Sequence, residues 1–143
     1  MAKEYEPAFS ELKTLYSEIL TLIDNYINSF SDLDLLSFSI TKEKSKEKVT
    51  KYYMFSLESV KLLEKADSVI TNLTPLLYEA YEKNDNESVK IIGEALLRQD
   101  EFKKSISDFM GSCEKEISQK DKIISIQALY RSALVLKQKI KEL

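Results

Sequence analysis

The stretch PAFSELKTLYSEILTLIDNYINSF, residues 7–30, decides the fold. Its side chains Phe9, Leu12, Tyr16, Ile19, Ile23, Tyr26 and Phe30 advance by three and four residues in strict alternation. That spacing puts them on one face of an α-helix; a strand would need alternation every second residue. Leu15, Leu20, Leu22 and Ile27 widen the row, which suits a bundle helix better than a two-stranded coiled coil. Pro7 fits the first turn, where its missing N–H costs nothing. Glu4, Glu6 and Glu11 favour the positive end of the helix dipole. Burying the row yields roughly 10–20 kcal/mol. Ordering the backbone takes at least as much, at ~1–2 kcal/mol per residue. The helix therefore needs partners.

Three further helices answer that need. The second runs from Ser45 or Lys48 to about Asn72, with the row Val49, Tyr52, Ser56, Ser59, Leu63, Ala66, Ile70 and Leu73 and with Tyr53 and Val60 beside it. Thr74-Pro75 predicts a kink there, or a new short helix from Pro75 to Lys83, because proline removes a hydrogen bond and restricts the residue before it. Asn84-Asp85-Asn86-Glu87 reads as a turn, with Asn86 capping a third helix that reaches about Glu116. Its row is Val89, Ile92, Leu96, Phe102, Ile106, Phe109, Cys113 and Ile117. Gly93 and Gly111 inside it cost about 1 kcal/mol each against Ala and suggest close helix contact or a bend. Ser118-Gln119-Lys120-Asp121 resembles a capping box and opens a fourth helix with the row Ile126, Leu129, Ala133, Leu136, Ile140 and Leu143. Short connections make neighbours antiparallel. The expectation is one all-α domain over residues 1–143: an antiparallel, up-down-up-down four-helix bundle.

Composition supports this and removes most chemistry. Two glycines and two prolines among 143 residues leave little room for the tight turns of a β fold. With no histidine and only Cys113, the chain has no disulfide, zinc set, Glu-x-x-His iron motif or Ser-His pair. Two glycines cannot build a phosphate loop. No enzyme activity, metal or cofactor is expected. The net charge of −3 argues mildly against duplex nucleic acid as the main partner. No apolar run approaches the ~20 residues that span a bilayer, and the N-terminus lacks a signal-peptide core, so a soluble, cytoplasmic protein is expected.

Three features can carry binding. Lys42, Lys44, Lys46, Lys48 and Lys51, interleaved with Glu43 and Glu47, read either as an anion- or nucleic-acid-binding end or as a solvated helix start. The connection Leu33, Leu35, Leu36, Phe38 and Ile40 is apolar for a loop; it either seals one bundle end or offers a motif to a partner. In the fourth helix, Ile124, Leu134 and Val135 lie off the row, marking a candidate dimer or partner surface. Cys113 falls on the apolar row of its helix and reads as a small core residue.

The run Ile92 to Phe102, IGEALLRQDEF, resembles half of a tetratricopeptide repeat, which implies a polar turn between two helices. With Leu63 to Asn86 before it, the run also looks like the GAT domains of endosomal sorting adaptors, although Gly93-Glu94-Ala95-Leu96-Leu97 stands where those carry Asn-Asp-x-Leu-Asn. That likeness implies a trafficking adaptor. Site chemistry aside, the expected function is a non-enzymatic protein-interaction module, as adaptor, regulator or assembly subunit. An accessory subunit of a nucleic-acid machine, using the Lys42–Lys51 end, is the alternative.

Overall fold

A computed structural model describes residues 4–115 and 117–142. The side chains of Leu33, Leu136 and Ile140, and Leu143 altogether, lie outside the described residues. The elements are α1 (Glu6–Asn28), a short α2 (Asp32–Ser37), α3 (Lys46–Glu82), α4 (Asn86–Glu114) and α5 (Gln119–Glu142). The four long helices form an all-α bundle. α1 packs chiefly on α3, α3 on α4 and α4 on α5, and a lighter α1–α5 contact closes the ring.

Caps set the helix starts. Ser45 Oγ accepts from Lys48 N–H, Asp85 Oδ1 from Ser88 N–H and Ser118 Oγ from Asp121 N–H. The cap of α4 is thus Asp85, one residue before the expected Asn86. Asn84, at φ 58°, turns the α3–α4 corner in the left-handed conformation that asparagine tolerates.

α3 does not break at Pro75. It runs unbroken for 37 residues, so no separate Pro75–Lys83 helix forms. Pro75 and Thr71, whose carbonyl is left without its N–H partner, are both exposed residues. At ~1.5 Å per residue α3 is about 20 Å longer than α1, which has 23 residues. The 29–45 connection covers the overhang. Leu35 and Phe38 are buried, Phe38 meets Tyr52 at 5.9 Å, and Ile40 N–H donates to Cys113 O at 2.7 Å.

The row of α1 is buried from Phe9 to Tyr26, with Phe30 packed against it. The α3 row is rotated from expectation. Tyr52, Ser59, Ala66 and Leu73 are buried as read, but Phe55, Leu62 and Val69 complete the row, while Tyr53 and Val60 face water. Val49, Ser56 and Ile70 are only half-buried. In α4, Gln99 and Ser88 are buried on the row and Leu96 and Val89 only partly so. α4 ends at Glu114, leaving Ile117 in the following loop. Residues 98–101 are helical, so the polar turn implied by the tetratricopeptide likeness is not formed. The glycines mark no close approach: a Cβ at Gly93 or Gly111 meets nothing within 4 Å.

Helix register is fixed by rings and one polar relay. Tyr26 of α1 stacks on Phe55 of α3 at 4.3 Å, and both rings meet Phe109 edge-on. Near mid-helix, buried Tyr16 donates to Gln99 Oε1 at 2.6 Å, and Gln99 Nε2 donates to Asp67 Oδ1 at 3.0 Å. Lys103 Nζ completes the relay to Asp67 Oδ2 at 2.7 Å. This links α1, α4 and α3, and sliding any one helix by a turn orphans buried polar atoms.

Candidate interaction surfaces

The lysine-rich end does not gather onto one face. Lys42 and Lys44 lie in the connection, and Lys46, Lys48 and Lys51 on the first turns of α3. Lys46 and Lys48 stand about 200° apart around the helix. Carboxylates intervene: Asp34 lies 3.6 Å from Lys48 and Glu47 lies 3.3 Å from Lys51. Glu43 accepts from Ser45 N–H at 3.1 Å. The electrostatic character of this end is mixed.

α5 presents the more distinctive surface. Its inward row is Lys122, Ile126, Leu129 and Ala133. On a flank about 90° around the helix, Ile123, Tyr130 and Leu134 recur at helical spacing and are 39%, 43% and 59% exposed, with Ile124, 53% exposed, further round toward the side opposite the row. Of the off-row residues read from sequence, Ile124 and Leu134 therefore stand in water. Val135 is half-buried and turns toward α4, where it lines a cleft. A second apolar row went unread: Tyr53, Leu57 and Val60 of α3, spaced by four and three, with Met54 adjacent. Its signal was present in that spacing but was absorbed into the reading of Tyr53 and Val60 as core.

Lys122 was also missed, although it continues the Ile126–Leu129–Ala133 row backward by one turn. It is 1% exposed, and its Nζ donates to Ser112 O at 3.0 Å and Phe38 O at 3.3 Å. The same Nζ lies 3.2 Å from Cys113 Sγ and 5.6 Å from the Phe109 ring centre. The lysine thus satisfies carbonyls at the end of α4 and fastens the 38–40 segment to α5. Burial pushes the Cys113 thiol up, and the Lys122 charge only partly pulls it back. Cys113 is a protonated core residue at neutral pH.

Paired serines mark the α4–α5 seam beside a cleft. Ser125 Oγ donates to Ser112 Oγ at 3.2 Å, and one turn pair further on the Ser105 and Ser132 hydroxyls meet at 2.6 Å. These small residues hold the helices close. The next α4 position at the same seven-residue spacing is Arg98, which lines a cleft between the helices. The cleft has a volume of about 140 Å³ and is lined by Arg98, Glu101, Phe102, Arg131, Ser132 and Val135. No described helix is long and apolar enough to cross a membrane.

No family model matches the chain, and no curated protein or solved structure matches it. The GAT likeness rests on the residues that carry it and on nothing further.

Proposed function

We propose that this chain is a non-enzymatic interaction module whose outward helix faces dock protein partners. One observation carries the reading: large apolar side chains stand exposed in rows at helical spacing on α3 and α5. Scattered single apolar residues are ordinary on a surface, but contiguous rows are what a partner helix covers. A helix laid along Ile123–Tyr130–Leu134 or Tyr53–Leu57–Val60 would bury them at i, i+3, i+4 and i+7 contacts. The rows sit on helices whose inward faces are anchored in the core, so the docking surface is rigid before binding.

The test pairs Ile124→Glu/Leu134→Glu and Leu57→Glu variants with the wild type. Circular dichroism should be unchanged, because these side chains are 53–70% exposed. Light scattering reports self-association, and affinity capture from native lysate reports foreign partners. The reading expects a species bound by the wild type and lost from at least one variant. Binding that ignores these substitutions contradicts it. Steeply salt-dependent retention of RNA or DNA, abolished by neutralising Lys42, Lys44, Lys46, Lys48 and Lys51, would instead favour the nucleic-acid alternative.

A further inference from the structure

The chain holds two arginines among its 21 basic residues, Arg98 and Arg131, and both line the α4–α5 cleft. They come from different helices, so only the fold brings them together. Arg98 commits one nitrogen, Nη1, to Glu101 Oε2 at 2.8 Å. Its Nε–H is buried without an acceptor, a state that normally costs free energy unless a ligand or water supplies one. Arg131 forms no ion pair among the described residues and is exposed at the cleft mouth. Among the described lining residues, two guanidiniums stand against one carboxylate, one positive charge in excess. Phe102 and Val135 form apolar walls, which weaken competition from water and strengthen any ionic contact made inside. Lysines supply the rest of this protein's cationic surface, and a lysine is a point charge. Arginine presents a planar fork of donors matched to an oxyanion. A second cleft, lined by Glu4, Glu79, Lys83 and Asp85 among others, offers no such surplus: its Lys83 is already held by Glu79 at 2.6 Å.

We propose that the Arg98–Arg131 cleft is a binding site for a phosphate-type oxyanion, either free or carried as a phosphomonoester. Arg98 Nε and its remaining terminal N–H groups engage one edge of the anion from α4. Arg131 closes on it from α5, and Ser132 stands at the rim. The site is independent of the apolar docking rows.

Inorganic phosphate is the probe, titrated against the full chain at fixed ionic strength with chloride as the balancing anion. Binding is read by two-dimensional NMR of backbone amides and by thermal unfolding. The expected result is saturable shifts confined to residues around 98–102 and 131–135, with a rise in unfolding temperature. Arg131→Gln, which removes an exposed side chain and leaves the fold intact, should weaken binding about 10-fold or more. Arg131→Lys should recover only part of that loss, since charge returns without the fork. Arg98→Gln should weaken binding as well. Phosphoserine measured beside phosphate separates the sources: tighter binding of the ester marks a phosphomonoester site, and equal binding marks a site for the free anion. Shifts that never saturate up to about 50 mM phosphate, or that are unchanged in Arg131→Gln, overturn the proposal.

Discussion

Replacing Gln99 with Leu should cost more stability than its chemistry suggests, and removing the Tyr16 hydroxyl at the same time should give part of that stability back. Gln99 is 2% exposed and Tyr16 4%, and their hydrogen bond is 2.6 Å long. Burial, followed by the Asp67 charge, holds the Tyr16 phenol well above its ordinary 10.0. It is therefore a neutral donor that needs an acceptor. Gln99→Leu conserves volume but orphans the Tyr16 hydroxyl and takes one donor from Asp67. A buried unsatisfied group costs about 1–3 kcal/mol, against which the new apolar carbons return about 1 kcal/mol. Tyr16→Phe alone orphans the Gln99 carbonyl oxygen at a similar cost of about 1–3 kcal/mol. In the double variant neither orphan exists. The two effects should therefore fail to add, by about 1–3 kcal/mol. Urea unfolding followed by circular dichroism at neutral pH measures all four proteins, and unchanged slopes license the comparison. Additive losses within about 0.5 kcal/mol would show that Tyr16 and Gln99 do not meet and that the register is wrong.

Gly93→Ala and Gly111→Ala should each stabilise the chain by about 0.5–1 kcal/mol, since both lie in α4 and an added Cβ meets nothing within 4 Å; thermal unfolding showing a loss would mean hidden contact there. Stability should hold up to about pH 10 and then fall, because burial raises the phenols of Tyr16, Tyr26 and Tyr52 while the unfolded chain ionises them near 10.0. Above that pH the unfolded state binds fewer protons, and each phenol contributes up to about 1.4 kcal/mol per pH unit. Tyr52→Phe should make that alkaline slope shallower, as read by urea midpoints across pH. Lys122→Met should destabilise by about 1–3 kcal/mol, as two buried carbonyls lose a donor while the cost of a buried charge is relieved. Amide exchange at Ile40 should quicken in that variant, and unchanged exchange would show that Lys122 does not fasten the connection.

Periodicity made α1 legible because its seven apolar residues leave one choice of face. α3 offered two faces that share Tyr52, Ser59, Ala66 and Leu73, one completed by Ser56, Leu63 and Ile70 and the other by Phe55, Leu62 and Val69. Local sequence cannot choose between adjacent faces of a helix flanked by both α1 and α4. Packing buried Leu63 as well, and put the large Phe55 ring on Tyr26. Pro75 misled because proline's cost is greatest inside a core, and here Pro75 and Thr71 are both exposed. Buried Gln99 and Lys122 broke the rule that polar residues face out, since their partners come from other segments of the chain. The α4–α5 cleft was illegible for the same reason: Arg98 and Arg131 look like two ordinary surface cations until the serine seam aligns their helices. The candidate surface at Ile124 and Leu134 was readable because their departure from the row is a property of one helix alone.

The central claim is that the rows of α1 and α4, running parallel, interlock with the antiparallel α3 in a single register. An NMR nuclear Overhauser spectrum of the aromatic rings tests it most directly. The account predicts strong cross-peaks from Tyr26 to Phe55 and Phe109, and from Tyr16 to Phe102, whose ring centres lie 6.2 Å apart. Tyr26 and Tyr16 showing contacts only to residues of their own helix would contradict it.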